Sequence, residues 1–239
     1  MVAANGAAIL HPPCAEVLCR ACGIISTTLD LPATLDRLLI ALRDVPSREW
    51  AWTFGALVVL WALTELFVGR LGLHAVSLES DRGSALAVLA SAAVAWTLAM
   101  GASVVRLLPV GADWARWAGL GVMAAGLALR VFSILWLGPM FTRLVQILPG
   151  HRLVTSGPYR FVRHPSYSGL LLFFMGVGLA LGDWLAVAIM VFVPTVGVLY
   201  RIRVEEKTLL GAFGEEYRAY MHRVGGLLPL PKSVFHREA

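Results

Sequence analysis

The sequence predicts an all-α integral membrane protein with about five transmembrane helices, and two observations support this prediction. Of the 239 residues, 58% are hydrophobic and only 15% are charged, with a mean hydropathy of +0.74. Soluble domains average about 45–50% apolar and about 25% charged residues. The apolar residues also occur in long runs without alternation, a pattern typical of membrane-spanning helices.

The charge balance favours a membrane surface over nucleic acid as the partner. The formal net charge is +5 at pH 7. In a membrane protein such an excess is typical of cytoplasmic loops that face anionic lipid. The chain has no basic tract interleaved with aromatic residues, so membrane lipids are the expected partner and nucleic acid is not.

Residues 1–49 are predicted to form a leader and an interfacial amphipathic helix. The three cysteines, Cys14, Cys19 and Cys22, lie in the leader and include a single Cys-x-x-Cys pair. A structural zinc site needs four ligands, so no metal site is predicted. Leucines recur on one face between residues 32 and 45, which fits a helix that lies in the membrane interface or packs against the bundle.

Five apolar segments are candidate spans: residues 50–68, 84–108, 114–137, 165–181 and 184–200. The connection at residues 109–113 is short, so an antiparallel hairpin is expected there. The last two segments are joined by Gly182 and Asp183 and are also expected to form a hairpin. At about 25 Å, each of these last two helices is near the lower limit for crossing a bilayer.

The distribution of basic residues predicts the orientation of the C-terminal half. Four arginines lie between residues 140 and 166, seven lysines and arginines follow residue 200, and the turn between the last two spans has none. Basic connections stay on the cytoplasmic side. Both polar segments are therefore expected to face the cytoplasm, whereas the orientation of the N-terminus stays open.

The first polar segment, VTSGPYRFVRHPSYSG (residues 154–169), separates two apolar runs. Pro165 is suited to the first position of the next helix, whose free N–H groups would lie beside Arg163 and His164. Helix starts carry partial positive charge and bind carboxylates or phosphates. The segment is either a small-molecule site at the membrane surface or an ordinary interfacial turn.

The second polar segment, RIRVEEK (residues 201–207), leaves the last span as a helix on which Arg201 and Glu205 share a face. Taken alone, it can be a solvated helix with paired charges. The hairpin, however, brings both polar segments to one membrane face, where converging polar groups at the mouth of a bundle favour a small-molecule site. Tyr217 and Tyr220 share a face of the tail, which is expected to fold back as a wall or lid.

The stretch HRLVTSGPYRFVRHPSYSG, an apolar hairpin, and then RIRVEEKTLLGAFGEEYRAYMHRVGGLLP closely resemble the isoprenylcysteine carboxyl methyltransferase family. The wider group includes membrane phospholipid methyltransferases, and the resemblance covers residues 142–229. It implies that residues 139–239 form a methyltransferase core whose last spans and cytoplasmic tail bind S-adenosyl-L-methionine. Residues 50–138 would then form the acceptor side.

The resemblance also implies the roles of individual residues. Arg201 would meet the acceptor carboxylate, and Arg201 and Glu205 would be the catalytic pair. Arg152 stands where relatives can have a small polar residue, so its backbone alone is expected to contribute. The implied cofactor-binding residues are Gln146, His151, Arg152, Leu153, Val154, Tyr159, His164, Pro165, Ser166, Tyr167 and Glu205.

The predicted function is S-adenosylmethionine-dependent methylation of the carboxylate of a prenylcysteine-like or other lipophilic acceptor. One alternative is an amine or thiol methyltransferase, for instance one that acts on phospholipid head groups. Arg201 favours the carboxylate, because an amine would gain nothing from a cation beside it. The other alternative is a non-catalytic membrane scaffold or binding protein.

Arg130 is a charged residue within the third apolar run. Because it lies near the predicted cytoplasmic end, snorkelling to the interface is the interpretation that costs least. If it faces the bundle instead, it would be a second anchor for an anionic head group.

Overall fold

The computed structural model describes residues 47–71, 81–106, 108–110, 113–141 and 152–229, all within one compact unit, Val45–Ala239. Short 3-10 helices lie at Gly138–Met140 and Gly157–Arg160. The described residues form helices and no β-strand, which confirms the all-α prediction. The α-helices are α1 (Arg48–Leu71), α2 (Ser84–Val105), α3 (Asp113–Leu137), α4 (Pro165–Leu181), α5 (Trp184–Phe213) and α6 (Glu215–Arg223).

Four of these helices, α1, α2, α3 and α5, are long and apolar enough to cross a membrane. Helix α4 is apolar but has 17 residues, or about 25 Å, which is short of the roughly 30 Å hydrocarbon core. Helix α5 continues past the predicted end of its span at residue 200 and carries the second polar segment to Phe213. The chain is a multi-pass integral membrane protein. The predicted leader and amphipathic helix lie outside the described residues.

The helices pack in an order that differs from their order in the sequence. Helix α4 packs between α3 and α5, which confirms the predicted C-terminal hairpin, while α2 packs on the other side of α5 and α1 packs on α3. The expected hairpin between α2 and α3 is wrong in its packing, because α4 and α5 lie between those two helices.

Asp183 holds the short connection between α2 and α3 in place, so that these two helices do not pack as a hairpin. Its carboxylate is buried and accepts hydrogen bonds from the backbone N–H groups of Leu185 (2.8 Å) and Ala186 (3.1 Å), which caps the start of α5. Its second oxygen accepts from the backbone N–H of Leu108 at 2.9 Å. The connection is therefore fastened to the turn between α4 and α5.

Helices α3 and α4 approach closely because glycines face each other along their contact. Gly119 and Gly126 on α3 are seven residues apart, as are Gly169 and Gly176 on α4. A Cβ atom at Gly169 would lie 2.7 Å from the backbone nitrogen of Arg130, and each of the other three would likewise meet backbone of the facing helix. Small residues of this kind allow transmembrane helices to pack backbone against backbone. This close contact between α3 and α4 fixes the position of Arg130 relative to the start of α4.

Candidate active site

All six helices contribute to one cavity of about 520 Å³. Its polar half is formed by the segment before α4, the C-terminal part of α5 and helix α6. Its other half is apolar and is formed by α1, α2 and α4. We call these the polar pocket and the apolar groove.

The apolar groove follows α2 from Ala85 to Thr97, a length of about 18 Å. Trp61 of α1 forms part of its wall and stacks on Phe173, with ring centroids 5.5 Å apart. Because α1 packs on α3 and α2 packs on α5, the groove lies along the gap between α1 and α2. Leu89, which lines the groove, is 48% exposed, so the groove is open on the side where a membrane protein faces lipid.

The tail after α6 folds back onto the segment before α4. The backbone N–H groups of Arg163 and His164 donate to the carbonyls of Gly225 (2.8 Å) and Gly226 (3.1 Å). The Ser168 hydroxyl donates to the carbonyl of Leu227 at 2.6 Å. These contacts place α6 against the polar pocket, as the sequence predicts.

Arg163 fastens α6 to α5. Its guanidinium donates to Glu206 Oε1 from Nε (3.0 Å) and Nη2 (2.7 Å), and from Nη1 to the carbonyls of Met221 (3.1 Å) and Val224 (2.5 Å). His164 Nε2 lies 3.1 Å from the same Glu206 oxygen. Glu206 therefore joins α5 to the segment before α4 through Arg163 and His164, although the resemblance assigns it no role.

Three buried tyrosines form the wall of the polar pocket. The Tyr220 hydroxyl donates to the carbonyl of Tyr159 at 2.6 Å, and the Tyr159 hydroxyl donates to the carbonyl of Ser133 at 3.3 Å. Burial raises the pKa of Tyr220 to about 12 and also raises the pKa values of Tyr159 and Tyr217. All three hydroxyls are therefore protonated at neutral pH. The Tyr217 hydroxyl, on a residue that is 1% exposed, has no hydrogen-bond partner among the described residues.

Glu205 presents the second unsatisfied atom of the polar pocket. Its Oε2 is buried and has no hydrogen-bond partner among the residues that the structure describes, and His164 Nδ1 lies 3.8 Å from it. Buried polar atoms are almost always paired in the functional state. An unpaired acceptor on Glu205 and an unpaired donor on Tyr217 in one cavity fit a polar ligand that offers both a donor and an acceptor.

Arg201 on α5 lines the cavity, and neighbouring side chains hold its guanidinium in place. Its Nη1 forms an ion pair with Asp81 and donates to Ser84 Oγ at 2.8 Å, and its Nε donates to the Tyr167 hydroxyl at 3.0 Å. Asp81 is 3% exposed and lies just before α2. Arg201 is therefore fixed in direction, with its charge balanced by a residue from the N-terminal half.

Arg130 also faces the cavity, so the interpretation that it snorkels to the interface is wrong. The residue is 7% exposed, and its Nε and Nη2 both lie 2.7 Å from Glu65 Oε1 on α1. Its Nη1 donates to the hydroxyl (3.1 Å) and the carbonyl (3.3 Å) of Ser166. Burial is possible here because the carboxylate balances the charge within the bundle.

A sequence model described as the isoprenylcysteine carboxyl methyltransferase family matches residues 118–211. A probable protein-S-isoprenylcysteine O-methyltransferase of Oryza sativa subsp. indica is 30% identical over 192 residues, which cover 77% of this chain and 97% of the relative. The chain belongs to the isoprenylcysteine carboxyl methyltransferase family.

Other members of this family agree in sequence and in fold. The protein-S-isoprenylcysteine O-methyltransferase of Rattus norvegicus is 37% identical over 125 residues, which cover 51% of this chain and 43% of the relative. The solved structure of a eukaryotic intramembrane Ras methyltransferase superposes with a TM-score of 0.54 at 27% identity. That superposition covers 82% of this chain and 72% of the other. The resemblance, the membrane fold and the O-methyltransferase class predicted from the sequence are confirmed.

Most of the residues that the family resemblance implicates lie around the one cavity. Pro165 is buried at the start of α4 and does not line it. Gln146 and His151 lie outside the described residues. The implicated residues that line the cavity are Arg152, Leu153, Val154, Tyr159, His164, Ser166, Tyr167, Arg201 and Glu205.

The sequence analysis missed the residues that balance the arginines and the unpaired hydroxyl. Glu65 is the single charged residue between residues 50 and 68. A lone carboxylate in an apolar span marks a functional site with a partner, and Arg130, within the third apolar run, is a matching cation. Asp81 gave no comparable signal, since it stands among other polar residues, and Tyr217 was predicted only as part of the wall or lid that the tail forms.

Proposed function

We propose that this family member transfers a methyl group from S-adenosylmethionine to the carboxylate of a prenylcysteine-like or other lipophilic acceptor, at a site that faces the cytoplasm. One observation carries the proposal: a single cavity joins a polar pocket with unpaired polar atoms to an apolar groove that is open towards lipid. A water-soluble donor and a membrane-bound acceptor need such a boundary in order to meet. Curated relatives named as protein-S-isoprenylcysteine O-methyltransferases support the prenylcysteine class of acceptor.

The polar pocket is the proposed cofactor site. When bound, S-adenosylmethionine supplies an activated methyl group on a positively charged sulfur. Glu205 Oε2 would accept a hydrogen bond from its amino group or ribose hydroxyls, and the Tyr217 hydroxyl would serve as a donor. Other cavity-lining residues would enclose it: Arg152, Leu153, Val154, Tyr159, His164, Ser166 and Tyr167.

The acceptor side is assigned to Arg201 and the groove. A carboxyl group is ionised at neutral pH, so the acceptor needs no general base. Arg201 would orient the carboxylate while the apolar tail lies along α2, and this placement makes the reaction effectively intramolecular. Because Asp81 already balances the charge of Arg201, the acceptor oxygen keeps its nucleophilicity.

Basic residues support the cytoplasmic orientation. Arg152, Arg160 and Arg163 precede α4, and Arg203 and Lys207 lie on the part of α5 that continues beyond residue 200. The turn between α4 and α5 has no lysine or arginine. The excess of lysine and arginine at the pocket end fits the positive-inside rule.

The test is methyl transfer by detergent-purified protein from labelled S-adenosylmethionine to an S-prenylated cysteine acid, with the matching carboxamide as control acceptor. We expect label only with the acid, and release of that label as methanol on treatment with base. Label that survives base would indicate an amine or thiol acceptor. Binding of S-adenosylhomocysteine without transfer to any lipophilic acid would favour a binding protein over an enzyme.

Two tyrosines of α6 form a matched pair for testing the cofactor assignment. Tyr217→Phe should raise the dissociation constant for S-adenosylhomocysteine about five- to tenfold, since a hydrogen bond of roughly 1 kcal/mol is lost. Tyr220→Phe should leave that constant nearly unchanged and lower thermal stability, because its hydroxyl is bonded to Tyr159 within the protein. Calorimetric titration measures both variants. Equal losses of affinity would mean that α6 is only a wall.

A further inference from the structure

Two of the four arginines that line the cavity, Arg130 on α3 and Arg201 on α5, pair with carboxylates from the N-terminal half. Glu65 comes from α1 and pairs with Arg130, and Asp81 precedes α2 and pairs with Arg201. Both carboxylates lie outside residues 118–211, which the family model matches. The two cations thus lie on α3 and α5, behind the groove, whereas the anions lie on α1 and just before α2, beside the opening of the groove.

The pairing of these arginines affects lipid binding, because the groove is open towards the bilayer. Lipids of the surrounding bilayer reach the gap between α1 and α2 at a concentration far above that of any acceptor. An anionic head group is attracted to a nearby arginine by about 1 kcal/mol per cation. An uncompensated arginine at the end of an apolar groove would therefore bind anionic phospholipid, whose tail and head match the groove as well as an acceptor does.

We propose that Glu65 and Asp81 act as counter-ions that keep anionic phospholipid head groups out of the acceptor groove. This inference rests on the proposed function insofar as the excluded lipid would compete with the acceptor. An arginine that is paired with a carboxylate can still donate a hydrogen bond to the carboxylate of an acceptor whose apolar tail is bound in the groove. The ion pair has no net charge, however, so it does not attract lipid phosphates from the bilayer. The two carboxylates are specificity-determining residues.

A purely structural role for the two pairs makes a different prediction. Breaking a buried ion pair destabilises a protein whatever lipid surrounds it. A structural role therefore lowers stability and activity equally in neutral and anionic bilayers. The counter-ion role changes the preference between the two lipids.

The experiment compares Glu65→Gln and Asp81→Asn with wild type in phosphatidylcholine nanodiscs. Spin-labelled phosphatidylglycerol and phosphatidylcholine report the relative affinity of the protein for the two lipids. We expect each variant to gain about fivefold in relative affinity for phosphatidylglycerol, the equivalent of one uncompensated charge. The matched control is Glu215→Gln, which removes the same charge from a side chain that is 80% exposed and paired with Arg218, and which should change nothing.

A double variant separates the counter-ion role from damage to the fold. Glu65→Gln combined with Arg130→Gln removes both charges and should return the lipid preference to the wild-type value. Asp81→Asn tests the other pair independently, so that poor folding of one variant leaves the other decisive. An unchanged preference in a folded single variant overturns the proposal, as does a gain of equal size in Glu215→Gln.

The lipid measurement needs no acceptor, so it also separates this inference from the proposed function. If wild type methylates no lipophilic acid but Glu65→Gln gains phosphatidylglycerol binding, the counter-ion role stands and the acceptor assignment falls. If methyl transfer proceeds and phosphatidylglycerol raises the acceptor KM equally in wild type and both variants, the counter-ion role is wrong and the proposed function stands.

Discussion

Replacing Arg163 with methionine is expected to lower thermal stability and to weaken S-adenosylhomocysteine binding together. The substitution removes the cation from a buried pair and strands Glu206, whose remaining neighbour is His164. It also frees the carbonyls of Met221 and Val224, which hold the end of α6. Breaking a buried pair of this kind costs about 3 kcal/mol. Because α6 carries Tyr217, affinity should fall at least as far as in Tyr217→Phe.

The control for this prediction is Arg203→Met, which removes the same charge from an exposed position on α5. Thermal melting in detergent and calorimetric titration should show little change in that variant. Adding Glu206→Gln to Arg163→Met should restore part of the lost stability, since the stranded carboxylate is gone. If Arg163→Met melts and binds like Arg203→Met, the arginine does not fasten α6.

The convergence of the two polar segments could be predicted because it depends on short-range geometry. A two-residue turn between α4 and α5 forces a hairpin, and the helical repeat places Arg201 and Glu205 on one face. Apolar length and the distribution of basic residues then bring both segments to one end of the bundle. These constraints hold whatever surrounds the hairpin.

The ion pairs and the order of the helices depend on distant contacts and could not be predicted in the same way. Asp81 meets Arg201 across 120 positions of the sequence, and Glu65 meets Arg130 across 65. The hydrogen bond between Leu108 and Asp183 joins the connection after α2 to the start of α5, and the length of that connection does not reveal it. The sequence shows that Glu65 and Arg130 each lie within an apolar segment, but it does not show that they pair with each other.

Glu205→Gln is expected to change stability and cofactor affinity in opposite directions. Glu205 Oε2 is a buried acceptor without a hydrogen-bond partner among the described residues. An unsatisfied buried acceptor atom is destabilising, so the neutral amide should melt at the same temperature or higher. The same change removes a charge-assisted hydrogen bond to the cofactor of about 1.5–3 kcal/mol, which corresponds to a ten- to hundredfold loss of affinity.

The neighbouring residue supplies the matched control, because Glu206→Gln removes an equal charge from a carboxylate that is already paired with Arg163. That variant should lose stability, and its affinity should fall only as far as α6 loosens. Melting curves and titrations of the two variants therefore show whether each carboxylate binds the cofactor, as expected for Glu205, or stabilises the fold, as expected for Glu206. If Glu205→Gln were the less stable of the two and bound S-adenosylhomocysteine as wild type does, Oε2 would have a partner within the protein. The cofactor site would then have to be assigned without Glu205.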